Sequence, residues 1–124
     1  MTAGRRRSWA KGLAAETAAA LWLMLKGYRV LGRRVRGAPG SGVGEIDLIA
    51  RRGRTLAFIE VKTRPDLDAA AFAIGPEQRR RIARAAEAFL AARPDLSGLD
   101  IRFDAVLVAP RRLPRHWPGA WTAD

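Results

Sequence analysis

The chain has 124 residues, no cysteine and a formal net charge of +11 at neutral pH. Its length suits one domain with a single core. The lack of cysteine excludes a disulfide framework and a thiolate metal site, so a cytoplasmic location is expected. The excess of positive charge favours a polyanionic partner such as nucleic acid over a membrane surface.

The N-terminal part combines arginines with an apolar stretch. Residues 1–8 are predicted as a basic arm, and a helix is predicted from Ser8, a good N-cap residue, to about Lys26, before Gly27. Charged residues interrupt the apolar part, which excludes a twin-arginine leader. The longest uncharged run, 17–25, is too short to cross a membrane.

Glu16 falls on the apolar stripe of this predicted helix. The helical pattern alone favours a semi-exposed side chain whose stem packs at the edge of the core. The alternative is an acid that reaches across to carboxylates elsewhere in the chain.

Three strands are predicted next, because runs of β-branched and apolar residues alternate with glycine-containing turns. The first covers 28–36, and a glycine-rich loop over 37–44 follows it. A β-hairpin over 44–64 comes after the loop, with its turn at 51–54. The loop holds no phosphate-binding glycine motif, so no nucleotide cofactor is expected.

The hairpin places two carboxylates and a lysine, Asp47, Glu60 and Lys62, among the apolar residues of its strands. Glu60 and Lys62 are two residues apart, so they share one face with Cα atoms roughly 6.6 Å apart. Pairing of Ala50 with Thr55 would place Asp47 on that face, as a diagonal neighbour of Glu60 at about 7 to 8 Å. A slip of one residue would turn Asp47 away. Two acids and one lysine form a net negative pocket, which suits a hard divalent cation.

A loop over 65–74 is predicted to cross the mouth of this pocket, and a helix is predicted from Pro76 to about Arg93. The first turns of the helix carry Arg79, Arg80, Arg81 and Arg84. Such a charge run is ordinarily a solvated face. Cations at the positive end of a helix dipole repel one another, however, which makes a phosphate backbone the alternative partner.

A last strand is predicted over 101–109, parallel to the second hairpin strand after the helical crossover. Asp104 in this strand is expected to be a structural hydrogen-bonding acid. The proline-containing tail, 110–124, is expected to lie extended over the surface. His116 in the tail is expected to be exposed and uninvolved.

Two blocks, GEIDLIA at 44–50 and FIEVKTR at 58–64, resemble the signature of the YraN family. These small bacterial proteins are similar to Holliday-junction resolvases of the PD-(D/E)XK, restriction-endonuclease-like superfamily. The resemblance covers about residues 9–109, a nuclease-like domain between the basic arm and the tail. It implies an α/β fold, with a mixed central β-sheet flanked by helices and an α-β-β-β-α-β core.

The resemblance also implies a role for each matching residue. Asp47 and Glu60 would hold Mg²⁺, with Mn²⁺ as a substitute, and the carbonyl of Val61 can supply a further oxygen. Lys62 would lie beside the scissile phosphate, and Glu16 would be an accessory acid. Between two carboxylates Lys62 is expected to stay protonated and to act electrostatically.

Nucleic-acid contacts are expected from residues around this site. They are Arg36, Arg64, Gln78, Arg79, Arg80, Arg81 and Arg84. Position 78 departs from the pattern that the resemblance implies, because many relatives carry a lysine where this chain has Gln78. Some nuclease branches nevertheless resemble this chain in using glutamine there.

Three functions are compatible with these residues. The first is a Mg²⁺-dependent endonuclease that hydrolyses phosphodiesters in branched or damaged DNA, and the intact residue set favours it. The second is a nucleic-acid-binding accessory protein with little or no catalysis. The third is an interaction module in which the acids and Lys62 form a buried ion network. A homodimer is expected from the resolvase resemblance, but the sequence identifies no dimer face.

Overall fold

The computed structural model describes residues 3–37, 41, 43–67 and 74–122, with residues 3–11 described by their backbone alone. The helices and strands of this part of the chain are α1 (Ala3–Leu25), β1 (Arg29–Arg36), β2 (Glu45–Arg52), β3 (Thr55–Thr63), α2 (Pro76–Ala91), β4 (Asp100–Val108) and β5 (Arg115–Trp121). A short 3-10 turn, Pro94–Leu96, precedes β4.

The strands form one mixed sheet in the order β1-β2-β3-β4-β5. Neighbouring strands are antiparallel except β3 and β4, which run parallel. A parallel pair needs a crossover connection, and α2 lies within it. The predicted mixed sheet and the α-β-β-β-α-β order are therefore confirmed.

The two helices cover opposite faces of the sheet, which explains why β2 and β3 are apolar on both sides. The cluster on the α1 face contains Ala19, Ala20, Leu23, Tyr28, Leu48, Ala50, Ala57, Ile59 and Val106. The cluster on the α2 face includes Ile46, Ile49, Leu56, Phe58, Ile82, Ala85, Ala86, Phe103 and Trp121.

The hairpin between β2 and β3 closes through a two-residue turn at Gly53 and Arg54, because Arg52 pairs with Thr55. Gly53 has φ of +60°, a conformation that glycine adopts without strain. The register is two residues away from the predicted pairing. A shift of two keeps every paired side chain on its face, and the same register continued past the last pair would set Asp47 opposite Glu60 rather than diagonal to it.

The N-terminal prediction needs correction. α1 begins at Ala3, so the arm expected over residues 1–8 is helical from that residue onward. No proline lies between Ala3 and Ser8, and the three arginines there are good helix formers that offset Gly4, so Ser8 does not start a new element. Gly27 follows the helix with φ of +92°, in agreement with its predicted capping role. Neither described helix is long and apolar enough to cross a membrane.

The C-terminal prediction needs correction, because residues 115–121 of the segment expected as an extended surface tail form β5. This strand pairs antiparallel with β4, and Trp121 is buried against Phe103 with ring centroids 5.7 Å apart. Pro118 made the segment resemble a non-strand. Proline is nevertheless tolerated in an edge strand, where its missing N–H faces away from the ladder.

Trp121→Ala is expected to lower the free energy of unfolding by about 3 to 5 kcal/mol, because it leaves a large cavity beside Phe103. Leu113→Ala is the matched control, since Leu113 is 70% exposed, and it should change stability by less than about 0.5 kcal/mol. Urea denaturation of both variants provides the measurement. Equal midpoints for the two variants would contradict the assignment of β5 to the core.

Candidate functional site

The candidate site lies where β2 and β3 separate. Leu48 and Ile59 form the last pair of the ladder on this side. Beyond that pair, the Asp47 carboxylate accepts a hydrogen bond from the Val61 N–H at 2.8 Å. A side chain therefore takes the place of a main-chain acceptor, and this fixes Asp47 between the two strands.

The carboxyl groups of Asp47 and Glu60 lie close enough for each to influence the ionisation of the other. Burial, and after it the neighbouring Glu60 carboxyl, raises the pKa of Asp47 to about 7. Burial also raises the pKa of Glu60 and outweighs the lowering effect of its polar neighbours. Burial and the proximity of two acids thus oppose full ionisation of the pair, and a bound cation would favour it.

Lys62 and Gln78 both reach Glu60. The Lys62 ammonium lies 3.3 Å from Glu60 Oε1, and the Gln78 amide donates to the same oxygen at 3.0 Å. Lys62 comes from the same strand face, as the spacing of two residues predicts, whereas Gln78 comes from the first turns of α2. The side chain at position 78 is thus part of the carboxylate cluster and links α2 to it.

Glu16 is buried, with 4% of its surface exposed, so the semi-exposed position favoured by its helical pattern was wrong. Its Oε1 accepts from Arg33 Nε at 3.1 Å and its Oε2 from Arg34 Nε at 2.9 Å. Both carboxylate oxygens are thus engaged by guanidinium groups. Glu16 lies close enough to raise the pKa of Asp47 slightly, but its own charge is balanced by the two arginines.

Arg34 is a residue that the sequence reasoning missed. Arg33 pairs with Leu48 and Val35 with Ile46, so Arg34 lies opposite Asp47. Its φ of +51° is unusual for a residue with a side chain, and such strain is often found at functional sites. No motif or charge run in the sequence distinguished it from the other arginines of β1.

A cavity of about 110 Å³ brings this residue together with the acids. It is lined by Gly12, Ala15, Glu16, Arg34, Asp47, Val61 and Thr63. The cavity is therefore bordered by the Asp47 carboxylate and by the Arg34 guanidinium, which Glu16 holds, an arrangement suited to an anionic group that also contacts a cation.

The predicted nucleic-acid-binding arginines differ in how far their charge is balanced. Arg81 pairs with Glu77 at 3.3 Å. Arg36 pairs with Glu45 at 3.3 Å and lies at the edge of the sheet, beside α2. The Arg79 side chain donates to the Ile74 carbonyl, and that of Arg64 to the Thr63 carbonyl. Arg80 and Arg84 are exposed. The loop predicted over 65–74 lies partly outside the described residues.

The residues that could hold a metal are limited. No three acidic or histidine side chains lie close enough together for a metal site anywhere in the part of the chain that the structure describes. Asp47 and Glu60 thus form a donor set of two carboxylates, which main-chain oxygens such as that of Val61 and water would complete. A hard cation that retains several waters fits this set.

Asp104 is buried away from this cluster, and the prediction of a structural role is confirmed. It accepts from Arg102 at 2.8 Å through both oxygens, from His116 at 2.7 Å and from the Gly119 N–H at 2.9 Å. Burial tends to raise the pKa of Asp104, but these hydrogen bonds outweigh it and the pKa is lowered. His116 was predicted to be exposed and uninvolved, which was wrong, since its side chain is 1% exposed.

Asp47→Asn is expected to stabilise the metal-free protein in alkaline buffer. The folded pKa of Asp47, about 7, exceeds the value of about 3.9 in an unfolded chain, so unfolding releases a proton between these values. The contribution of Asp47 to stability therefore falls as pH rises from about 4 to about 7. Asparagine keeps an oxygen for the Val61 N–H without the charge.

Thermal unfolding in EDTA between pH 4 and pH 8 measures this effect. The Tm of the variant should exceed that of the wild type at pH 8, and the difference should shrink toward pH 4. A wild type that is the more stable of the two at pH 8 would contradict the assignment of the raised pKa.

Residues 15–108 match the family described as Uncharacterised protein family UPF0102. A UPF0102 protein of Paramagnetospirillum magneticum is 57% identical over 114 residues, which cover 92% of this chain and 88% of the relative. A UPF0102 protein of Methylorubrum extorquens is 57% identical over 122 residues, which cover 98% of this chain and 92% of the relative.

Among solved structures, the chain is similar to Hjc of Archaeoglobus fulgidus, a Holliday junction resolvase from an archaeal hyperthermophile. The TM-score is 0.55 at 24% identity, and the match covers 86% of this chain and 75% of that one. This likeness shows the restriction-endonuclease-like fold. With its fold and its two sequence blocks in agreement, the chain belongs to UPF0102, the YraN family.

Proposed function

We propose that the protein is a metal-dependent endonuclease that acts on DNA. The observation that carries this proposal is the proximity of the Asp47 and Glu60 carboxyls, which raises the pKa of Asp47, with Lys62 3.3 Å from Glu60. Two acids held close together and largely out of water repel each other unless a proton or a cation lies between them. Such an arrangement opposes stability and is typical of functional sites.

A magnesium ion fits the donor set. Asp47 and Glu60 supply two carboxylates, and the limited number of protein ligands is typical of Mg²⁺, which retains several waters. When bound, Mg²⁺ would neutralise charge on the phosphodiester and polarise the attacking water. Mn²⁺ takes similar oxygen ligands and is the expected substitute.

The side chains around the carboxylates have separate tasks in this proposal. Lys62, fixed by Glu60, presents a positive charge where a scissile phosphate would lie. Arg34 borders the cavity and is held by Glu16, so its guanidinium is oriented before substrate arrives. Glu16 is then a positioning residue that acts through Arg34 and not a metal ligand.

DNA is the proposed substrate because charge and fold both favour it. The net charge of +11 attracts a polyanion. Arg80 and Arg84 are exposed on α2, near Gln78, which contacts the cluster. The similarity of fold to a Holliday junction resolvase supports branched DNA as the substrate class.

Incubation of the purified protein with a four-way junction, a single strand and an RNA hairpin tests the proposal. Cleavage of DNA in Mg²⁺ or Mn²⁺, abolished by EDTA, is the expected result. Binding of all three substrates without cleavage of any would contradict it and favour the second function, an accessory protein. One observation favours that alternative, since Glu16 is fully ion-paired and leaves only two carboxylates for the metal.

Arg34→Gln is expected to reduce the rate of cleavage by about 100-fold, because it removes an oriented cation from the phosphate side of the cavity. Arg33→Gln is the matched control. It removes the other guanidinium bound to Glu16, but Arg33 does not line the cavity. Single-turnover rates at saturating protein compare the two. Equal losses would show that both arginines act through the fold and would contradict the role of Arg34.

A further inference from the structure

A basic pocket lies at the end of the sheet opposite to the carboxylates. It has a volume of about 360 Å³ and is lined by Gly27, Arg29, Arg51, Arg52 and Gly53. We name it the hairpin pocket. Five residues of β2 separate Asp47 from Arg52, so the two sites are about 17 Å apart.

The arginines of the hairpin pocket are held by neutral groups. Arg51 Nε donates to the Gly53 carbonyl at 3.0 Å, and Arg52 Nη1 donates to the Lys26 carbonyl at 3.2 Å. The Arg52 guanidinium also stacks 4.6 Å above the Tyr28 ring. Carbonyls and a ring fix the orientation of these side chains without cancelling their charge.

No carboxylate lines the hairpin pocket. Two acids act electrostatically on this region, Asp95 on Arg51 and Asp104 on Lys26, and both are ion-paired elsewhere, Asp104 with Arg102 and Asp95 with Arg93. Burial lowers the pKa of Lys26, which precedes the pocket in the chain, and the positive charge of Arg52 lowers it further. The described surroundings therefore leave an excess of positive charge that an anion would neutralise.

We propose that the hairpin pocket binds a phosphate group, and that a nucleic-acid backbone supplies it. Guanidinium groups match the oxygens of phosphate in a two-pronged geometry, and three of them converge here. The glycines at two sides of the pocket leave room for an oxyanion beside the main chain. A separation of about 17 Å corresponds to about five base pairs at 3.4 Å each, so one strand of a duplex could reach both sites.

The proposal concerns binding alone and is tested without cleavage. The double variant Arg29→Gln/Arg51→Gln removes two pocket charges and leaves the contacts of Arg52 in place. Arg111→Gln/Arg112→Gln is the matched control, because it removes the same charge from exposed residues. Equal Tm values would show that both variants fold. Fluorescence anisotropy with a labelled 12-base-pair duplex in EDTA, from about 50 to about 200 mM salt, gives affinity and salt dependence.

The pocket variant should bind the duplex about 3- to 10-fold more weakly than the control. The slope of the logarithm of its binding constant against the logarithm of the salt concentration should be smaller in magnitude by about 1 to 2. Equal affinities and slopes for the two variants would overturn the nucleic-acid contact. Inorganic phosphate provides the second arm, followed by NMR of arginine side chains. A shift of the Arg51 Nε signal by phosphate without any difference in duplex binding would assign the pocket to a free phosphate instead. No shift and no difference would overturn the site altogether.

Discussion

Replacing Asp47 or Glu60 by alanine is expected to reduce Mg²⁺-dependent cleavage of branched DNA by more than about 100-fold. Outer partners of metal ligands typically contribute about 10- to 100-fold, and removing a ligand itself should cost more. The loss should appear in the single-turnover rate, because the positive surfaces that bind DNA are unchanged. Titration with Mg²⁺ should show that higher metal concentrations restore little of the rate.

Glu77→Ala is the matched control for these variants. Glu77 precedes Gln78 on α2, but its side chain is 74% exposed and pairs only with Arg81 among the contacts described. Its removal deletes a carboxylate near the site without touching the buried pair, so cleavage should be preserved. Full activity in both Asp47→Ala and Glu60→Ala would remove the nuclease proposal.

Asp104→Ala is expected to lower the free energy of unfolding by about 3 to 5 kcal/mol, because it leaves buried cationic and hydrogen-bonding partners without their acceptor. Asp104 is fully buried, and its bonds to His116 and Gly119 join β4 to β5, while Arg102 on β4 also binds it. Guanidinium denaturation of the wild type and the variant gives the difference in free energy of unfolding.

The pH dependence of that difference has a definite sign. The pKa of Asp104 is lowered in the folded protein, so its stabilising effect is complete above the unfolded pKa of about 3.9 and is lost as pH falls through the folded value. The two stability curves should therefore converge in acid. Asp95→Ala, at an exposed pair with Arg93, should change stability little. A variant at Asp104 as stable as this control would contradict the account of the β4–β5 contact.

The hairpin was predictable because its apolar residues and its glycine define two strands and a turn. The exact register could not be predicted, because several arginines surround Gly53 and the sequence does not indicate which pair of residues closes the turn. The face of Asp47 could still be predicted, because an error of two residues leaves every side chain on its own side of the sheet. The shared face of Glu60 and Lys62 could be predicted as well, because it depends only on their spacing of two residues along one strand.

The environment of Glu16 could not be read from its helix. Its partners Arg33 and Arg34 lie on β1, 17 and 18 residues away, and only the packing of α1 on the sheet brings them together. Arg34 also depends on an irregular backbone conformation that no local pattern indicates. For the same reason the burial of Glu16 was underestimated.

The last strand was missed because local signals opposed it. Prolines and a glycine in 110–121 are typical of loops, whereas contacts far along the chain determine the outcome. His116 illustrates this, since its side chain lies between Asp104 and the Lys26 ammonium, 2.7 Å from each. A lone histidine in a proline-rich segment gives no indication of such partners.

Anomalous diffraction from a crystal soaked in Mn²⁺ above pH 7, where the proton held by Asp47 and Glu60 is released most easily, tests the central claim directly. One peak within about 2.2 Å of an oxygen of each carboxylate is the expected result. A complete anomalous data set without a peak at this position would contradict the metal site and the nuclease proposed on it.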